Sequence, residues 1–211
     1  MRFHRSGTDP VALVNGAVGL WENRAMTNEN ERTYTLEELT LANTVQEIET
    51  HVAQGGWDGP TRVFAIIRTK EALATTPELA TQMPELLVQL EANELSMLSI
   101  EQEDLPETGT LEELLGSLTW PSTVHGAGIV VERVMVPPEA EAQMPADPDE
   151  ALAFLQEHPQ REDVRLAVGV LRDGPSWCAI RTRKHDDASK VATGPDLVPG
   201  LVAGLRATLE D

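Results

Sequence analysis

The sequence predicts an α+β fold: a mixed, largely antiparallel sheet with helices packed on it, including a late β-hairpin and a C-terminal helix. Three observations predict it. In "DVRLAVGVLRDGPSWCAIRTRK" two β-rich runs flank the turn Asp173-Gly174-Pro175. In "DLVPGLVAGLRATLED" the residues Leu197, Leu201, Val202, Leu205 and Leu209 form an apolar stripe at helical spacing. Finally, strands and helices do not alternate regularly. The late elements run strand, helix, hairpin, helix, which is not the pattern of a parallel α/β sheet.

The elements follow in order. Thr35 opens a capping box, "TLEE", in which Thr35 and Glu38 satisfy one another's backbone N–H groups. Leu36, Leu39, Ala42, Val45, Ile48 and Val52 then fall at helical spacing until Gly55-Gly56. "WDGP" reads as a turn, and "TRVFAIIRT" (61–69) as a strand covered on both faces. A broken helical region punctuated by Pro77 and Pro84 leads to a short strand in "LSMLSIE". A second "TLEE", opened by Thr110, carries Leu111, Leu114, Leu115 and Leu118, and Trp120-Pro121 stops it. "GIVVERVMV" (128–136) is a strand. Asp147 caps a helix with Pro148 at its first position, and Asp196 is the expected cap of the last helix.

Within the hairpin, Val164, Leu166, Val168 and Val170 share one face. In its second run Ala179, Arg181 and Arg183 share a face, with Cys178, Ile180 and Thr182 on the other.

Composition limits what the chain can do. A net charge of −19 argues against nucleic acid and against an anionic membrane as partners. No apolar run approaches the roughly 18 residues that span a bilayer. A single cysteine, Cys178, points to a reducing, cytoplasmic compartment. At the N-terminus Asn15, Gly16 and Gly19 interrupt the weakly apolar stretch, and no cleavage site follows, so it does not read as a secretory signal. Residues 1–26 are expected to be a loose tail or an upstream extension with Met26 as the start, and residues 27–211 one α+β domain.

The motifs are sparse. "HGAG" lacks the third glycine of a dinucleotide fingerprint and precedes a strand rather than a helix, so its glycines read as a tight turn. His125 has neither a marked nucleophile nor an orienting carboxylate. The five histidines show no paired metal-ligand spacing. The sequence therefore gives no catalytic residue, no metal and no cofactor. Charge is uneven. Eight acidic residues and no Lys or Arg lie between Glu91 and Glu113, whereas six basic and three acidic residues lie between Arg165 and Lys190. A basic hairpin on an acidic protein would receive an acidic partner or a second subunit's acidic face, or would protect a sheet edge.

Several strings taken together, "LSIEQEDLP", "LTWPSTVHGAGIVVERVMVPPEAEAQMP", "DVRLAVGVLRDG", "CAIRTR" and "DLVPGLVAGLRATL", resemble an uncharacterised family of conserved actinobacterial proteins of unknown function. The resemblance runs from about Thr33 to the C-terminus. It implies a bacterial, cytoplasmic protein and carries no site residues with it.

The expected function is a non-catalytic cytoplasmic protein-binding domain, adaptor or chaperone-like, binding another protein or itself as a homodimer. The C-terminal stripe would serve either an interface or the core. The alternative is a small-molecule-binding protein or enzyme acting on an anionic ligand, in a pocket lined by Trp120, His125, Arg181 and Arg183, because arginine pairs suit carboxylates and phosphates.

Overall fold

The computed structural model describes residues 33–210. The expected tail (residues 1–26) and the alternative start at Met26 lie outside the described residues. A six-stranded sheet carries the architecture, in the order β2-β1-β3-β4-β5-β6. Its strands are β1 (Arg62–Arg68), β2 (Met97–Glu101), β3 (Gly126–Met135), β4 (Glu162–Leu171), β5 (Ser176–Thr182) and β6 (Ala192–Gly194). Every neighbouring pair is antiparallel, so among the described residues the sheet has no parallel component.

Helix α1 (Leu36–Ala53) covers one face. Its capping box at Thr35 forms as the sequence predicts, with both reciprocal hydrogen bonds present. Leu41, Val45, Ile48 and Val52 pack on Phe64, Ile66, Val130, Ala167 and Ala179. Gly128 and Gly169 lie directly opposite one another on β3 and β4 beneath this helix. A Cβ at Gly169 would lie 2.5 Å from Val45 Cγ2, and one at Gly128 would lie 3.2 Å from Ile48 Cδ1. The missing side chains form the seat of α1.

After β1 the chain makes three short helices, α2 (Thr69–Thr75), α3 (Leu79–Gln82) and α4 (Glu85–Ala92), and then enters β2. Helix α5 (Leu111–Ser117) begins at Thr110, whose hydroxyl accepts from Glu113 N, but only this half of the expected box forms, since the Glu113 carboxylate accepts from Gly109 N instead. Short α6 (Pro138–Glu141) and longer α7 (Pro148–Glu157) join β3 to β4. Asp147 Oδ1 accepts from Glu150 N at the start of α7. The last helix is α8 (Pro199–Ala207).

Helices α5 and α8 cover the second face. Leu114, Leu115, Leu201, Val202 and Leu205 pack on Val63, Ile129, Leu166, Val168 and Ile180. Each such side chain contributes about 1.5–3 kcal/mol through removal from water. The C-terminal stripe is thus part of the core, not an interface. Cys178 is fully buried here, and burial pushes its thiol up to about 11.

Three local expectations change. Asp196 does not cap α8. Its φ is 54°, and its carboxylate accepts from Ser176 Oγ instead, so the helix starts later with a proline in its first turn. Gly126 and Gly128 lie inside β3 rather than in a turn, and a Cβ at Gly126 would lie 2.4 Å from Val170 O on the neighbouring strand. Strand β5 is not a sheet edge, because β6 covers it.

Candidate functional site

The four residues expected to line one pocket fall at opposite ends of the sheet. His125 immediately precedes β3, whose first residue pairs with Leu171. Arg181 pairs with Arg165, which pairs with Glu132, six residues further along β3. At about 3.3 Å per residue the two ends lie roughly 20 Å apart.

Trp120 and His125 build a junction between α5 and β3. The Trp120 indole donates to Thr208 Oγ1 at 2.9 Å, tying the loop to the end of α8. Arg172 donates to the carbonyls of Trp120, Pro121 and Leu209. His125 N donates to Ile66 O, His125 O accepts from Arg172 N, and His125 Nδ1 accepts from Arg68 N at 3.4 Å. These are the bonds that let β3 begin beside β1.

At the other end the arginines are consumed by carboxylates. Arg181 forms a fork on Glu49 of α1, Nε to Oε1 at 2.6 Å and Nη2 to Oε2 at 2.8 Å. The two side chains are only 6% and 1% exposed, so this is a buried pair. Arg181 Nη1 also reaches Asp186 Oδ1 at 3.1 Å. The Glu49 hydrogen bond raises the Arg181 guanidinium above its usual range. Arg183 holds Asp58 with two bonds of 2.8 and 2.7 Å, and Arg165 binds Glu132 and the carbonyl of Gly56.

Trp57 sits among them. Its indole donates to Asp186 Oδ2 at 3.0 Å, and the Arg165 and Arg183 guanidiniums lie 4.5 and 5.5 Å from its ring centre. The Trp57 hydrogen bond, then Arg181, hold the Asp186 carboxyl below the usual range, and the Arg183 hydrogen bond does the same for Asp58. Sequence reading missed Glu49 and Trp57. Glu49 had a signal: an acid inside the apolar face of Val45, Ile48 and Val52 needs a buried cation. Trp57 had none, since it looked like an ordinary turn residue.

Beside this network lies a cleft of about 180 Å³ lined by Val52, Gly55, Pro60, Arg62, Val130 and Arg165. Ligand pockets are usually about 300–1,000 Å³. The structure therefore gives the hairpin's arginines internal partners and a structural task, fastening the 54–60 loop and α1 to the sheet.

The other distinctive feature is an acidic segment. From Glu71 to Glu113 the chain carries eleven acidic residues and no Lys or Arg. This stretch makes α3, α4, β2 and the loop into α5. It also carries exposed apolar side chains: Leu87 at 48%, Val88 at 66% and Ile100 at 41%. Among the described residues strand β2 is an edge of the sheet.

A family model for PPA1309-like protein matches residues 41–210. The chain belongs to this family. The match spans both helical layers and the whole sheet, and agrees with the resemblance seen in the sequence. No curated protein and no solved structure matches the chain significantly. Among the described residues no helix is long and apolar enough to cross a membrane.

Proposed function

We propose that the chain is a non-catalytic protein-binding domain of the actinobacterial cytoplasm, adaptor or chaperone-like, that docks a partner protein on its acidic side. One observation carries this reading. The only Lys- and Arg-free stretch of that length in the chain also bears the exposed Leu87, Val88 and Ile100 and the open edge of the sheet. Exposed apolar side chains on a segment of a single charge sign are features that recognition surfaces use. The basic hairpin gives less support to partner binding, since Arg165, Arg181 and Arg183 already hold carboxylates. The same pairing leaves little for an anionic small molecule to bind. A homodimer through the acidic side would set like charges together, so a different partner suits it better.

The test is purification of the full chain from its own host, with native mass spectrometry and identification of what accompanies it. A specific protein is expected to accompany the wild type and Arg183→Ala, and to be lost from Leu87→Ser/Val88→Ser and from Ile100→Ser. A partner retained by these acidic-side variants, or a monomer carrying a small-molecule mass, would overturn the reading.

A further inference from the structure

We infer that the partner is bound as an added β-strand: an extended segment in which Lys or Arg alternates with apolar residues, hydrogen-bonded to the outer edge of β2. This rests on the docking reading above and specifies its chemistry.

The register of β1 and β2 shows which backbone groups are free to bind. Gln102 N donates to Val63 O, and Thr69 N donates to Ser96 O. Antiparallel ladders alternate, so Leu98 and Ile100, opposite Ile67 and Ala65, turn their N–H and C=O groups toward β1. Met97, Ser99 and Glu101 must turn theirs outward. None of the described residues supplies a partner for those outer groups.

Exposed edges are usually blunted by shortness, lysine, proline or a bulge. The opposite edge, β6, is only three residues long. Strand β2, "MLSIE", has no lysine and no proline, and its register with β1 runs without a bulge. Its one charge, Glu101, is engaged by Arg62 at 2.8 Å and His51 at 3.4 Å. An edge of this kind is a template for strand addition.

Charge and side-chain position define the occupant. Leu98 and Ile100 point to the α5 side with Ile67, and all three remain partly exposed. Apolar residues of an added strand would lie against them. Glu94 precedes β2, and Glu103, Asp104 and Glu107 follow it. Basic residues on the incoming strand answer these, whereas a second copy of this chain would bring the same acids to the same place.

The test is amide hydrogen exchange on the full chain, free and with a short peptide alternating valine and lysine. In the free chain the outward amides of Met97, Ser99 and Glu101 should exchange faster than those of Leu98 and Ile100, and the peptide should protect them. A valine–glutamate peptide, and the valine–lysine peptide N-methylated at alternate backbone nitrogens, should each bind about tenfold more weakly. Ser99→Pro should weaken binding to a similar extent, about tenfold, with the melting temperature kept, because that N–H lies outside the β1 ladder.

Three results would overturn the inference. The outward amides could already be protected in the free chain, by its own residues 1–32 or, if dilution removes the protection, by a second copy. The valine–lysine peptide could fail to bind. Or the N-methylated peptide could bind as well as its parent. That last result leaves docking on the acidic side intact and removes only the strand mode.

Discussion

Glu49 and Arg181 show how a single buried pair ties a helix to a sheet. Their fork removes two charges from water, a cost that their attraction and hydrogen bonds offset only while both are present. Glu49→Ala should therefore destabilise the protein by about 3–5 kcal/mol, because Arg181 is left buried with only Asp186 nearby. Glu49→Leu/Arg181→Met should recover most of that loss, since two apolar groups need no partner. Denaturant unfolding of the three proteins measures this, and a double variant as unstable as Glu49→Ala would contradict it. Half of this pair was legible. Arg181 stood out in the sequence for its position on one face of the hairpin. Its partner lies 132 residues away, and no local spacing connects them.

At the scale of elements, local chemistry and close packing divide the work. The caps at Thr35 and Thr110 were readable because donor and acceptor lie three residues apart. Asp196 looked equally suited to cap a helix. Tertiary structure redirected it to Ser176, and the turn residues before Pro199 take other backbone angles. The seat of α1 on Gly128 and Gly169 was not readable at all, since glycine in a strand says nothing about what approaches it. Gly169→Ala should cost about 1–3 kcal/mol by forcing its new methyl against Val45. Gly169→Ala/Val45→Ala should cost less than the sum of the two single changes, because each relieves the other. Thermal unfolding of the set gives the coupling; strict additivity would mean that α1 shifts freely to make room.

Across the whole molecule, charge is segregated by use. Arg165, Arg181 and Arg183 are spent on carboxylates around Trp57, whereas most acidic side chains between Glu71 and Glu113 are exposed. That arrangement has a pH consequence. Asp58 and Asp186 have folded-state values below the ordinary carboxylate range. Their contribution is fully present above the unfolded value of about 3.9 and is lost as pH falls through the lower folded values. Both side chains are substantially exposed, so salt screens the effect and its size is modest. Amide protection factors in the 55–59 loop should fall below about pH 4 before the sheet opens, and the fall should be flattened in Asp58→Asn/Asp186→Asn. A loop that keeps its protection at that pH in the wild type would show that Trp57 packing alone holds it.

The sequence by itself determined the α+β class, the hairpin, the C-terminal helix, the capping box at Thr35, the N-cap at Thr110 and the uneven charge. Each of these rests on residues close together in the chain, where periodicity of 2 or 3.6 and short capping distances speak directly. Only the tertiary structure decided what those features are for. It buried the C-terminal stripe in the core and placed β6 outside β5, so the basic hairpin is no longer an edge. It set Trp120 and His125 about six strand residues from Arg181, turning a supposed pocket into two structural junctions. Among the described residues it left β2, a strand of five residues, as an edge within a segment that carries acids and no Lys or Arg. Strand order and ion pairing depend on contacts between distant segments, and a linear pattern carries no record of which segments will meet.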